Sequence, residues 1–141
     1  MMDATSSPAN QDHRRVRVLI VDDAPQVRRD LRQMLELTGL IDVVAEGANG
    51  QDAIQLAVEA SPDVVIMDLE MPGMNGFEAT RQIKEQGSAP RVIILSVHAE
   101  REDIARAQAV GADDFVVKGA NFQVLIQAIL MKTGSPNSSD I

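Results

Sequence analysis

Val64-Val65-Ile66-Met67-Asp68-Leu69-Glu70-Met71-Pro72-Gly73-Met74-Asn75-Gly76 decides how the chain folds. Four apolar residues stand between Pro62-Asp63 and a cluster of Pro, Gly and Asn, the pattern of a short strand buried on both faces. That strand ends on the carboxylate of Asp68. Three other runs end on chemistry in the same way: Val16-Arg17-Val18-Leu19-Ile20-Val21 on Asp22-Asp23, Val92-Ile93-Ile94-Leu95 on the hydroxyl of Ser96, and Asp114-Phe115-Val116-Val117 on Lys118. Parallel strands with these groups at their carboxyl ends would bring them to one edge of a sheet, where open α/β folds place their ligands.

The segments between the strands carry helical spacing. Pro25 stands where a first helical turn tolerates proline, Val27, Leu31, Met34, Leu35 and Thr38 follow, and Gly39 is the expected C-cap. Ile41 to Ala45 reads as a second strand, and Asn49 as the N-cap of a helix carrying Ala53, Ile54, Ala57 and Val58. A helix from Gly76 places Phe77, Thr80, Ile83 and Lys84 on one side. Arg91 to Leu95 reads as a strand. Ala99 to Val110 reads as a charge-rich, weakly held helix with Ile104, Ala105 and Ala109 as its thin apolar face. Asn121 to Lys132 closes the domain with Phe122, Leu125, Ile126, Ile129 and Leu130. Five strands alternating with five helices imply right-handed βαβ units, hence an α/β fold with a doubly wound parallel sheet.

The chain has 141 residues, which favours a single domain with a substantial core. Residues 1–15 and 133–141 are polar and broken by Pro8 and Pro136, so they are expected to be a disordered N-terminal tail and a disordered C-terminal tail or linker around a domain at 16–132. A formal charge of −8 argues against direct nucleic-acid binding by this domain, and Arg14, Arg15 and Arg17 form only a short basic flank. The chain has no Cys, which excludes disulfides and thiolate metal sites. No run approaches the ~20 apolar residues needed to span a bilayer, and nothing resembles a signal peptide, so no membrane partner and a cytoplasmic location are expected.

Asp22-Asp23 after the first strand, Asp68 followed by Met71-Pro72-Gly73-Met74-Asn75-Gly76, Ser96 after the fourth strand, and Phe115 with Lys118 on the fifth together resemble the receiver domain of two-component response regulators. The resemblance covers about residues 16 to 132. It implies a flavodoxin-like (βα)5 sheet of strand order 2-1-3-4-5, and a phosphorelay component that is not itself an enzyme. Asp68 would accept a phosphoryl group from a histidine kinase or phosphotransfer protein. Asp23 and Asp68 would bind Mg2+ with the backbone carbonyl of Glu70, and Asp22 would act largely through water. Ser96 would hydrogen-bond the phosphoryl group, Lys118 would pair with it, and Ser96 with Phe115 would form the switch. The output would be the surface of the fourth helix, fifth strand and fifth helix, which binds a partner, or a second copy on phosphorylation.

Chemistry supports those roles independently. Two unit charges ~4 Å apart repel by ~4 kcal/mol at an effective dielectric of 20, so crowded carboxylates call for a cation. Mg2+ takes all-oxygen ligands and shares phosphate oxygens. Plainer readings stand beside these: the Asp pair as helix caps, Ser96 as a strand-end hydroxyl, Phe115 as core, the methionines as packing, and His98 as a solvated loop residue.

Three positions depart from the family pattern. Gly119 follows Lys118 where proline is common, and a cis bond there would cost ~2.5–4 kcal/mol, so the loop should take another path. Glu70 and His98 occupy variable flanking positions, which leaves the lifetime of the phosphoryl group open. Ser96 stands where threonine is common. Two other readings remain: a receiver-like module that signals without phosphorylation, and a Mg2+-dependent phosphatase with an aspartyl nucleophile. The phosphatase pattern would put a second Asp at position 70. Receivers with Gly after the lysine occur attached to DNA-binding domains, so the chain is expected to be either a single-domain regulator or part of a longer one.

Overall fold

The structure is a computed structural model and describes residues 14–131. Most of both expected tails, and Lys132, lie outside the described residues. Ten elements alternate: β1 (Val16–Val21), α1 (Pro25–Glu36), β2 (Ile41–Gly47), α2 (Gly50–Glu59), β3 (Val64–Met67), α3 (Gly76–Lys84), β4 (Arg91–Ser96), α4 (Arg101–Ala109), β5 (Asp114–Val117) and α5 (Phe122–Leu130). The strands form one parallel sheet in the order β2-β1-β3-β4-β5, as expected.

All four residues of β3 are buried, because the two faces of the sheet serve two cores. Val18, Ile20, Val64, Ile66, Ile93 and Leu95 pack with Leu35 of α1 and with Leu125, Ile126 and Ile129 of α5. The alternate residues Leu19, Val21, Val65, Met67, Val92 and Ile94 pack with Ala53 and Ala57 of α2, with Phe77 and Ile83 of α3, and with Ala107 of α4. The period of two in the strands thus sorts helices to opposite faces. Burying one such Ile or Leu side chain contributes roughly 1.5–3 kcal/mol.

Several boundaries differ from the sequence reading; β4 takes in Ser96, and α5 spans Phe122–Leu130 with Asn121 as its N-cap. α1 ends at Glu36 with Leu37 as its C-cap. Gly39 turns the chain beyond it, at φ 75°, and the Thr38 hydroxyl donates to Leu35 O at 2.7 Å instead of extending the helix. β2 runs two residues past Ala45, because Glu46 is held by Arg28 and Arg32 and Gly47 O accepts from Asp22 N–H. α4 begins after Glu100, which forms a capping box with Asp103. That start fixes the helical phase, and the buried residue is Ala107 with Ile104 and Val110 half-buried; Ala105 and Ala109 face solvent, not the sheet. Every described peptide bond is trans, and the loop after Lys118 turns at Gly119 with φ 91°.

Among the described residues no helix is long and apolar enough to cross a membrane.

Candidate functional site

β1 and β3 are adjacent and parallel, with Val21 opposite Met67, so the residues that follow each strand emerge side by side. Asp68 N–H donates to Val21 O at 3.0 Å, carrying the pairing one step past the strand. Asp22 and Asp68 are 3% and 7% exposed, whereas Asp23 is exposed. One carboxylate oxygen from each of the three lies within 4.8 Å of the others. Asp22 Oδ1 accepts from Ala24 N–H at 2.9 Å. The N-cap of α1 is Ala24, with no side-chain cap, so the acidic pair does not cap that helix.

Lys118 reaches the cluster from the end of β5. Its Nζ lies 3.0 Å from Asp22 Oδ2 and 3.5 Å from Asp68 Oδ1. Its backbone N–H donates to Ser96 O at 2.8 Å, which locks the ends of β4 and β5 together. Burial and the neighbouring Asp22 carboxylate push the Asp68 carboxyl above the usual range, and Lys118 only partly offsets them. Burial disfavours the Lys118 ammonium, but the bonds and charges of Asp22 and Asp68 outweigh it and raise its pKa. Two nearly buried carboxylates against one ammonium leave the site short of positive charge.

Ser96 closes the same edge. It is 1% exposed, and its Oγ accepts from His98 N–H at 3.1 Å. Phe115 pairs with Ile94 in register and packs half-buried against the core of α2, α3 and α4. Glu70 is exposed, and its N–H lies 3.4 Å from Asp68 Oδ1, a long contact for a hydrogen bond. The loop that carries Glu70 folds back tightly. A Cβ on Gly76 would meet Asp68 O at 2.3 Å, so only glycine lets α3 begin against the strand end.

Two features were not legible from the sequence. His98 Nε2 lies 2.8 Å from Glu70 Oε2 and bridges the loops after β4 and β3 at the rim of the site. The sequence marks both as flanking residues, but their pairing follows only from the adjacency of β3 and β4. The second is Arg28, whose Nη1 donates to the backbone carbonyl of Asp22 at 2.7 Å. Its position one turn into α1 carries no signal of that role.

The family model of the response regulator receiver domain matches residues 18–130. Among curated proteins, the nitrate/nitrite response regulator protein NarL of Escherichia coli K12 is 35% identical over 112 residues, which are 79% of this chain and 52% of that protein. The transcriptional regulatory protein LiaR of Bacillus subtilis is 38% identical over 114 residues, 81% of this chain and 54% of that protein. The chain thus spans about half the length of these relatives, which are regulators by name. Among solved structures, the signal receiver domain of the putative response regulator NarL from Mycobacterium tuberculosis aligns at a TM-score of 0.79 and 32% identity, covering 83% of this chain and 94% of that one. A LuxR-family response regulator from Aurantimonas aligns at a TM-score of 0.78 and 38% identity, covering 82% of each chain. With the fold, the acidic pocket and these matches in agreement, the chain belongs to the response regulator receiver family.

Proposed function

We propose that this receiver domain accepts a phosphoryl group on Asp68 from a histidine kinase or a phosphotransfer protein. The carrying observation is the convergence of Asp22, Asp23, Asp68 and Lys118 at one sheet edge, with Asp68 nearly buried and 3.5 Å from the ammonium. An Asp68 carboxylate oxygen bonds to phosphorus as the phosphorus–nitrogen bond of a phosphohistidine breaks. The electron pair of that bond goes to the leaving imidazole nitrogen, which takes up a proton from water. Lys118 balances charge on the transferred group, and the Ser96 hydroxyl donates to one of its oxygens.

The donor set fits a hard divalent cation, because three carboxylate oxygens stand close together with too little positive charge among them. Asp22, Asp23, Asp68 and the backbone carbonyl of Glu70 would hold Mg2+, which supplies positive charge to the phosphoryl oxygens. Such a group adds roughly −1.5 to −2 charges and three acceptors at one spot. Moving a switch from 1:99 to 99:1 takes ~5.5 kcal/mol of differential interaction, within reach of an ion pair to Lys118 plus charge-assisted bonds. Ser96 and Phe115 would relay the change to the surface of α4, β5 and α5, and from there to a partner, a second copy or an output domain. A cytoplasmic location goes with a histidine kinase donor.

The test is incubation with Mg2+ and acetyl phosphate followed by intact mass, for wild type and Asp68→Asn. One phosphate adduct that needs Mg2+ and is absent in Asp68→Asn supports the reading. No adduct on folded protein with Mg2+ present overturns it in favour of a module that signals without phosphorylation. Sustained turnover of a phosphate ester would instead favour a phosphatase.

A further inference from the structure

Arg28 ties the peptide that joins the two consecutive acidic residues of the site to the neighbouring strand. Its Nη1 donates to Asp22 O at 2.7 Å and its Nε to Glu46 Oε1 at 3.0 Å. Glu46 is held from its other oxygen by Arg32 Nε at 2.7 Å. Asp22 N–H donates in turn to Gly47 O at 3.0 Å. Both backbone polar groups of Asp22 are therefore fixed, one directly by β2 and one through a guanidinium that β2 anchors.

The Asp22 carbonyl belongs to the peptide unit that carries the amide of Asp23, so its orientation sets the direction in which Asp23 leaves the strand. The Asp22 carboxylate has its own supports in Ala24 N–H and Lys118. Asp23 is exposed, and among the described residues no hydrogen bond holds its carboxylate. Its place within 4.8 Å of the Asp22 and Asp68 oxygens thus depends on backbone orientation. A guanidinium suits the task, because its planar fork donates in two fixed directions at once, which a lysine ammonium does not.

We propose that Arg28, anchored by Glu46, is a positioning residue for the divalent-cation site: it orients the Asp22-Asp23 peptide so that Asp23 joins Asp22 and Asp68 in a ready-made ligand set. This rests on reading that site as the Mg2+ site of a phosphoryl-accepting receiver. Charge alone predicts the opposite effect. A cation beside three carboxylates competes with a second cation, so deleting it should tighten Mg2+ binding. Deleting an outer partner that orients ligands weakens metal binding by about 10–100-fold. The sign of the change therefore separates positioning from simple electrostatics.

The experiment measures Mg2+ affinity by calorimetry on the whole chain for wild type, Arg28→Met, Arg32→Met and Glu46→Gln. The mobility of the Asp23 amide is followed by nitrogen-15 NMR in the metal-free proteins. Arg28→Met is expected to weaken Mg2+ binding about ten-fold and to mobilise the Asp23 amide. Glu46→Gln should do the same to a smaller extent. Arg32→Met removes the same charge and also breaks a bond to Glu46, but it does not touch Asp22, so both readouts should stay at wild-type values. Unchanged or tighter binding in Arg28→Met, or an equal loss in Arg32→Met, overturns the role of Arg28. Should Arg28→Met fail to fold, Glu46→Gln against Arg32→Met makes the comparison, and equal affinities overturn it. A wild type that binds no Mg2+ would remove the underlying site reading as well, which distinguishes the two failures.

Discussion

Lys118 and Asp22 form the short ion pair inside the acidic cluster, at 3.0 Å, and leave Asp68 with the more distant share of that ammonium at 3.5 Å. The ionised form of Asp68 is disfavoured, first by burial and then by the charge of Asp22, and Lys118 offsets this only in part. A proposed nucleophile held at a cost in the metal-free fold is poised to gain from any added positive charge.

That cost is measurable in Asp68→Asn. A carboxyl whose pKa is raised on folding binds more protons in the native state, so wild-type stability falls as pH rises from the ordinary carboxylate pKa through the raised one. The amide does not titrate. In chelator-treated protein, Asp68→Asn should match wild type at the acid end and exceed it at neutral pH. The gap amounts to about 1.4 kcal/mol for each pKa unit of the shift. Urea unfolding across a pH series checks this, and a gap that closes toward neutral pH would refute it.

Two glycines near the site are required for different reasons, and alanine should separate them. At Gly76 the obstacle is space: a Cβ would stand 2.3 Å from Asp68 O, and the neighbour is backbone that cannot swing away. At Gly119 nothing lies within 4 Å of the Cβ, and the obstacle is φ of 91°. Gly76→Ala should cost about 1–3 kcal/mol as an overpacking change, and it should weaken Mg2+ binding by displacing Asp68. Gly119→Ala should cost about 1–2 kcal/mol with Mg2+ affinity nearly unchanged. Denaturant midpoints with a metal titration of each variant provide the comparison.

Glu46 offers a pH test of opposite sign. Burial opposes its charge, but hydrogen bonds and charges from Arg32 and Arg28 prevail and hold its carboxyl below the usual range. A carboxyl depressed on folding stabilises above its unfolded pKa, and that contribution is lost as pH falls through the folded value. Glu46→Gln should therefore be less stable than wild type by about 1 kcal/mol near neutrality, with the gap closing in acid. Thermal or urea midpoints at neutral and acid pH suffice. A gap that persists undiminished in acid would mean that charge is not what Glu46 contributes.

The strands and the groups at their ends were legible because buried parallel strands print themselves as short apolar runs, and each run here stops on the group it presents, whereas the order of the strands in the sheet came only from the resemblance to receiver domains. Val64 to Met67 followed by Asp68 is the clearest instance. The α4 face departs from expectation because grouping Ile104, Ala105 and Ala109 by apolarity carries little weight in a helix with so little of it. The true phase is set by the capping box of Glu100 and Asp103, which turns Ala107 inward. The Arg28–Asp22 and His98–Glu70 contacts were out of reach for another reason. Each joins loops or elements whose proximity depends on which strands are neighbours, and local pattern carries no trace of that.

Lys118→Met pits fold stability against metal binding. Removing the ammonium leaves Asp22 and Asp68 nearly buried without their cation, which should destabilise the metal-free protein by roughly 1–3 kcal/mol. The same deletion takes away the charge that competes with Mg2+, so the variant should bind Mg2+ more tightly than wild type. A ligand at a hundred times its dissociation constant adds about 2.7 kcal/mol to stability, and tighter binding adds more at the same concentration. Urea unfolding with and without Mg2+ should therefore show a larger metal increment in Lys118→Met than in wild type, even as acetyl phosphate labelling falls. Equal increments in the two proteins would mean that Lys118 does not share the field of the cation site, and its assignment to charge balance at Asp68 would have to be withdrawn.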